Sequence, residues 1–166
     1  MLDICKIESS PSIYHLGYII GPRINAGGRV GKCSHGANLL LNKDPKNSYK
    51  IASELDQYNK ERQMLEKDLL EKISNVVKNF LDDPVLIISG QNWHEGVIGI
   101  VASRLKDKFN KPVIIISLEG DKGKGSARSI NGFDIGSAII AAAQEKILIK
   151  GGGHKMAGGF SIEAHN

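Results

Sequence analysis

The chain has 166 residues, of which 41% are hydrophobic and 24% charged, and a formal net charge of +4. These are the proportions of a soluble globular protein, enough for one ordinary domain or a small domain plus part of another. No apolar run approaches about 18 residues, which argues against a transmembrane span. The N-terminus has no charged segment leading into an apolar core, so an export signal is not expected and a cytoplasmic location is. Cys5 and Cys33 fit no metal-ligand or redox spacing and are expected to be reduced thiols. The basic balance, with a sequence isoelectric point near 9.0, suits a polyanionic partner.

Residues 1–20 mix short apolar pieces with Ser9, Ser10, Pro11 and Ser12, and predict a strand or two without a core of their own. Residues 21–31 combine Pro22 with Gly21, Gly27, Gly28 and Gly31, a pattern that predicts a shaped loop presenting Arg23, Asn25 and Arg29. Two arginines flanking an asparagine suit phosphate or carboxylate recognition, and pairing with nearby acids is the alternative. Ser34 to Leu41 predicts a short helix that Asp44-Pro45 ends. From Ser48 to Leu81 apolar residues recur at spacings of three, four or seven without Gly or Pro, which predicts one helix on the order of 50 Å long. A helix of that length is expected to join two lobes.

After Asp82-Asp83-Pro84 the character changes. Val85-Leu86-Ile87-Ile88 and Val113-Ile114-Ile115-Ile116 read as buried strands, with a helix from Val97 to Phe109 between them. That βαβ unit places Trp93 and His94 at the carboxyl end of a strand, just before a helix N-terminus, where ligands tend to bind. Gly123 to Ile130 predicts a polar strand carrying Ser126, Arg128 and Ser129, and Asp134 predicts the cap of a helix reaching about Lys146. Gly120 and Gly125 mimic the glycine spacing of a P-loop, but Ser126 stands where its lysine is required and a strand is expected to follow.

The glycine run Gly151-Gly152-Gly153 precedes His154 and Lys155. Three consecutive glycines can turn successive N–H groups inward as a nest for phosphate, with the two cations as further donors. A flexible turn between a helix and a strand is the alternative.

Four blocks resemble the RecJ single-stranded-DNA-specific exonucleases of the DHH superfamily. They are Gly21 to Arg29 (GPRINAGGR), Trp93 to Ala102 (WHEGVIGIVA), Gly125 to Ser129 (GSARS) and Gly151 to His154 (GGGH). Asn59 and Arg62 also match an Asn-x-x-Arg pattern of that family. The resemblance covers nearly the whole chain. It implies an α/β fold: a mixed sheet flanked by helices, the DHH-associated domain, preceded by a long connecting helix and a remnant of the catalytic lobe. Residues 1–47 would be that remnant, 48–83 the connecting helix, and 84–166 the DHH-associated substrate-binding domain. The apolar face of the N-terminal half of the helix would then be under-packed, since a catalytic lobe would cover it.

The reaction implied is 5′-to-3′ hydrolysis of single-stranded DNA in repair and recombination, supported by manganese or magnesium. Arg23, Asn25 and Arg29 would line a cleft between lobes. Trp93, His94, Ser126, Arg128, Ser129 and the loop of Gly151, Gly152, Gly153 and His154 would hold phosphates or the terminal nucleotide. His94 and His154 would support catalysis. One departure bears on mechanism: there is no Asp-His-His, and Asp3 is the only aspartate before Asp44. The five histidines show no metal-ligand spacing, so no metal site is expected in this chain. The chain is therefore expected to be an internal piece of such a nuclease, inactive alone, with a separate chain carrying the Asp-His-His lobe as a candidate partner. The alternatives are a nucleic-acid or nucleotide binding module without chemistry, and part of a DHH-type phosphodiesterase acting on oligonucleotides or cyclic dinucleotides.

Overall fold

The computed structural model describes residues 1–166, which form two compact units, Met1–Leu65 and Glu66–Asn166. The division falls inside one long helix that belongs partly to each.

In the first unit, residues 1–12 form turns and irregular backbone rather than the expected strand, because no partner strand is available to complete a ladder. A π-helical turn, His15–Ile20, leads directly into helix α1, Gly21–Val30, then α2, His35–Leu41. The helical α1 corrects the loop predicted for residues 21–31. Pro22 lies in the first turn, where its missing N–H costs nothing. Gly27 is held by packing: a Cβ there would lie 2.5 Å from the Lys32 carbonyl oxygen and 3.4 Å from the Leu55 side chain.

Helix α3 spans Pro45–Val76 and tightens into a 3-10 turn at Val77–Phe80, close to the predicted 48–81. Asp44 starts it, accepting from the amides of Lys46 and Asn47 at 3.2 Å each. Ala52 and Leu55 are both fully buried. The N-terminal half of the helix is therefore packed, which corrects the expectation of an uncovered face. The helices of its own unit cover it: Leu55 lies against Gly27, the Tyr58 ring lies over Gly31, and Arg23 bonds Asp56 at 2.8 Å.

The second unit is a five-stranded mixed sheet with helices. Its strands are β1 Leu86–Gln91, β2 Val113–Glu119, β3 Lys122–Arg128, β4 Lys150–His154 and β5 Ala157–Glu163, in the order β1-β2-β3-β5-β4. β1 and β2 are parallel, joined through α4, Glu95–Phe109, and every other pairing is antiparallel. Leu86, Ile88, Val113 and Ile115 bury against one side with Val97, Val101, Ala102 and Leu105 of α4. Each Val, Leu or Ile among them contributes about 1.5–3 kcal/mol of burial free energy. The C-terminal part of α3 adds Leu69, Ile73 and Val77, and its buried Glu66 pairs with Arg104 of α4. On the other side, Ile135 and Ile139 of α5, Ile135–Gln144, bury with Ala127 and Leu148 beside Phe160 and Ile162. No helix is long and apolar enough to cross a membrane.

Candidate functional site

The three glycines do not form the predicted nest. Gly151, Gly152 and Gly153 lie in β4, paired residue by residue with Phe160, Gly159 and Gly158, and none has a positive φ. A ladder sends alternate amides to opposite edges, so three successive N–H groups cannot converge on one anion. The run instead supplies a flat, side-chain-free strip of sheet.

Register shows what surrounds that strip. Alternation along strands puts Lys124, Ser126 and Arg128 of β3 on one face. Across β5 and β4 their partners form three rows: Lys124–Ser161–Lys150, Ser126–Gly159–Gly152, and Arg128–Ala157–His154. The middle row is floored by two glycines. Strand spacing of about 4.8 Å makes each row about 10 Å wide. The tray so formed has cations at both ends and small residues between them.

Helix α4 forms one wall. A Cβ on Gly99 would sit 2.8 Å from both Arg128 Nη2 and Ser126 Oγ, so these side chains lie against the helix backbone at that point. Arg128 Nη1 donates to Ser126 Oγ at 3.2 Å and to the Ala127 carbonyl at 2.7 Å, which fixes the guanidinium against α4. The groove between α4 and these strands has a volume of about 540 Å³ and is lined by Glu95, Ile98, Lys124, Ser126, Lys150 and Ser161, among others. Lys124 bonds Glu95 across it at 2.8 Å, and that bond together with the carboxylate's charge raises the Lys124 pKa.

Both site histidines use Nδ1 as an acceptor. His94 is the N-cap of α4 and accepts from the Gly96 amide at 3.1 Å; His154 accepts from the Met156 amide at 3.3 Å. Each neutral ring then carries its hydrogen on Nε2, a donor suited to an anionic oxygen. His154 stands at the β4–β5 hairpin end, and α5 steadies it from the opposite face. A Cβ on Gly136 would lie 2.9 Å from the His154 backbone, and the Ile135 amide donates to the Lys155 carbonyl. Asp134 caps that helix by accepting from the Ser137 amide at 3.0 Å, a bond that holds its carboxyl below the usual carboxylate range.

Other expected residues have structural work. Trp93 packs its ring over Gly90, where a Cβ would lie 2.1 Å away, and its carbonyl accepts from Ser117 Oγ at 2.6 Å. Ser129 is buried and donates to the Phe133 carbonyl at 2.7 Å. In the first unit, Arg23 donates to Asp56 and to the Ile19 carbonyl, at 2.8 and 2.7 Å. Pairing with a nearby acid was the alternative reading for that arginine. Burial opposes ionisation of Asp56, but bonds and charge from Lys60 and Arg23 outweigh it and hold the carboxyl below its usual range. Asn25 and Arg29 are exposed on α1, and Arg62 donates to Asn59 at 3.1 Å on α3.

Lys124, Lys150, Ser161 and Glu95 were not singled out from sequence. The signal was present as period-two spacing: Lys124, Ser126 and Arg128 on one strand, Lys150, Gly152 and His154 on another. No three His, Cys, Asp or Glu side chains converge to hold a metal ion, so the residues present do not fit manganese or magnesium.

A DHHA1 domain model matches residues 82–166. The single-stranded-DNA-specific exonuclease RecJ of Bacillus subtilis is 38% identical over 154 residues, covering 91% of this chain and 19% of that protein. RecJ of Haemophilus influenzae is 40% identical over 155 residues, covering 89% of this chain and 27% of that protein. The crystal structure of Thermus thermophilus RecJ in complex with Mn2+ superposes with a TM-score of 0.83 at 29% identity, over 97% of this chain and 24% of that one. The chain thus spans about a fifth to a quarter of the length of these relatives.

Proposed function

The chain belongs to the DHHA1 domain family, and from that premise we propose that its second unit is the phosphate-holding part of a RecJ-like single-stranded-DNA exonuclease acting in repair and recombination. The observation that carries this reading is the row Arg128–Ala157–His154 bordering the glycine-floored row Ser126–Gly159–Gly152. An arginine and a histidine two strands apart, about 10 Å across the sheet with only the Ala157 methyl between them, leave room for a sugar-phosphate lying against the backbone. Arg128 and Ser126 hold a phosphate, and His154 and His94 add Nε2–H donors. Trp93 and Ser129 set the loops that carry these groups.

Residues 1–47 are assigned to the end of a catalytic lobe, 48–83 to a connecting helix and 84–166 to the substrate-binding domain. Asn25 and Arg29 are the first unit's candidate contacts, while Arg23 ties α1 to α3. Divalent metal, when present in such an enzyme, supplies Lewis-acid and nucleophile-generating chemistry. It is assigned to a lobe bearing the Asp-His-His ligands, not to these residues.

The test is binding of a 5′-phosphorylated oligothymidylate by fluorescence anisotropy across a salt series. Affinity is expected to be weak and to fall linearly in log-log form with salt. Arg128→Ala is expected to remove about 0.7 from the slope, the amount for one phosphate contact on a single strand. An unchanged slope and affinity would refute the assignment.

A further inference from the structure

Arg128 and His154 occupy one end of the tray, and two lysines stand at the other. Lys124 and Lys150 flank Ser161 in a single row, on the same face as Arg128 and His154. Four residues along a strand separate the two rows, about 13 Å, too far for one phosphate to touch both. Lys124, Lys150 and Ser161 all line the groove beside α4. We propose that Lys124 and Lys150, with Ser161 between them, form a second phosphate subsite for a single nucleic-acid strand, and that Glu95 sets its affinity by competing for Lys124. This rests on the reading of the tray as a phosphate-holding surface.

The chemistry at this end is complete for one anion. Two ammonium groups and a hydroxyl stand in one row on three adjacent strands and line the same groove, and all three can donate to phosphate oxygens. No apolar side chain intrudes in the row between, since Gly159 and Gly152 floor it. A strand seated at Arg128 therefore continues over the glycines to the lysines without leaving the sheet.

Glu95 is the one acid facing Lys124 at bonding distance, 2.8 Å, from the first turn of α4. Side chains in this pair are 60% and 46% exposed, and an ion pair so exposed is weak and exchanges readily. An incoming phosphate takes the place of the carboxylate on the ammonium. The carboxylate then lies near the bound anion and repels it, so Glu95 lowers affinity for long strands while keeping Lys124 positioned and protonated.

The experiment compares thymidine 5′-monophosphate with a 5′-phosphorylated hexathymidylate, the latter over a salt series. Lys124→Ala and Lys150→Ala should each weaken hexamer binding about three- to tenfold and remove about 0.7 from its salt slope. Neither should change mononucleotide affinity relative to wild type. Glu95→Gln should tighten the hexamer about two- to fivefold. Both lysines are exposed, and unchanged thermal unfolding confirms that the variants fold. Lysine variants that leave the hexamer slope intact, or Glu95→Gln that leaves or weakens hexamer affinity, would overturn the subsite. Arg128→Ala separates the two claims. If it weakens binding while the lysine variants are silent, only the second subsite falls. If it is silent while they act, the Arg128 assignment falls and the lysine subsite stands.

Discussion

Gly99 sits in the interior of α4, where alanine would add about 0.5–1 kcal/mol of helix stability. The absence of a side chain is what lets Arg128 and Ser126 lie against the helix. A methyl group there would meet only the ends of these two side chains, which can move. Gly99→Ala is therefore expected to keep or raise the unfolding free energy while weakening single-stranded DNA several-fold, because Arg128 is pushed off its position. Wild-type affinity in that variant would show that the guanidinium position is not used. Asp56 gives a second residue-scale expectation. Its folded pKa is lowered, so the stability it contributes is fully present above the unfolded value of about 3.9 and is lost as pH falls through the lower folded value. Asp56→Asn should cost about 1–2 kcal/mol at pH 7, since Arg23 and Lys60 both lose the carboxylate charge they share, and should flatten the acid limb below about pH 4. Urea unfolding at pH 7 and at pH 3 checks both parts. Roles of this kind were only half legible in the sequence. Arg128 was visible as a basic residue on a polar strand, but its partnership with Gly99 requires a helix to pack across that strand.

At the scale of elements, α1 shows how tertiary contact overrides local preference. Pro22 and three glycines argue for a loop, and nothing local contradicts them. The helix forms because Gly27 is needed where Leu55 and the Lys32 carbonyl approach, while Gly28 faces open space. The two glycines should respond oppositely. Gly28→Ala should stabilise the chain by about 0.5–1 kcal/mol. Gly27→Ala should destabilise it by at least about 1 kcal/mol, because a Cβ would meet backbone oxygen at 2.5 Å. Denaturant melts of the pair decide it, and equal signs would mean that α1 is not packed as described. The glycine run near the C-terminus failed in the other direction. Gly151 to Gly153 carry no side-chain periodicity, so their strand state was invisible until β5 was there to pair with them. Elements with strong periodicity were legible: α3, the βαβ unit, β3, and the α5 cap at Asp134 all appear where their residues predict them. The tray was legible only as separate pieces, since the rows joining Lys124 to Lys150 and Arg128 to His154 are set by a strand order that sequence spacing does not encode.

At the scale of the whole molecule, the question is what the tray can do without metal-bearing groups. Hydrolysis of a phosphodiester assisted by divalent metal needs carboxylates to hold the ions, and no three suitable side chains converge in this chain. Holding the strand is a separate task. Positioning and fixed donors supply much of the barrier lowering in such reactions, so a metal-bearing lobe alone should be slow. The purified chain is therefore expected to bind single-stranded DNA yet leave it uncut with manganese. Adding a polypeptide that carries an Asp-His-His lobe should produce cleavage of 5′-ended single strands. His154→Ala in this chain should lower the restored rate by about tenfold or more, a loss of at least about 1.4 kcal/mol of transition-state stabilisation. Arg128→Ala should instead act largely on the apparent affinity for DNA, since a phosphate held equally in ground and transition states changes KM rather than kcat. Rates measured at saturating and at limiting oligonucleotide distinguish these effects. Metal-dependent cleavage by this chain alone that disappears with Arg128→Ala, or a stable mixture in which His154→Ala leaves the rate intact, would show that the tasks are divided differently.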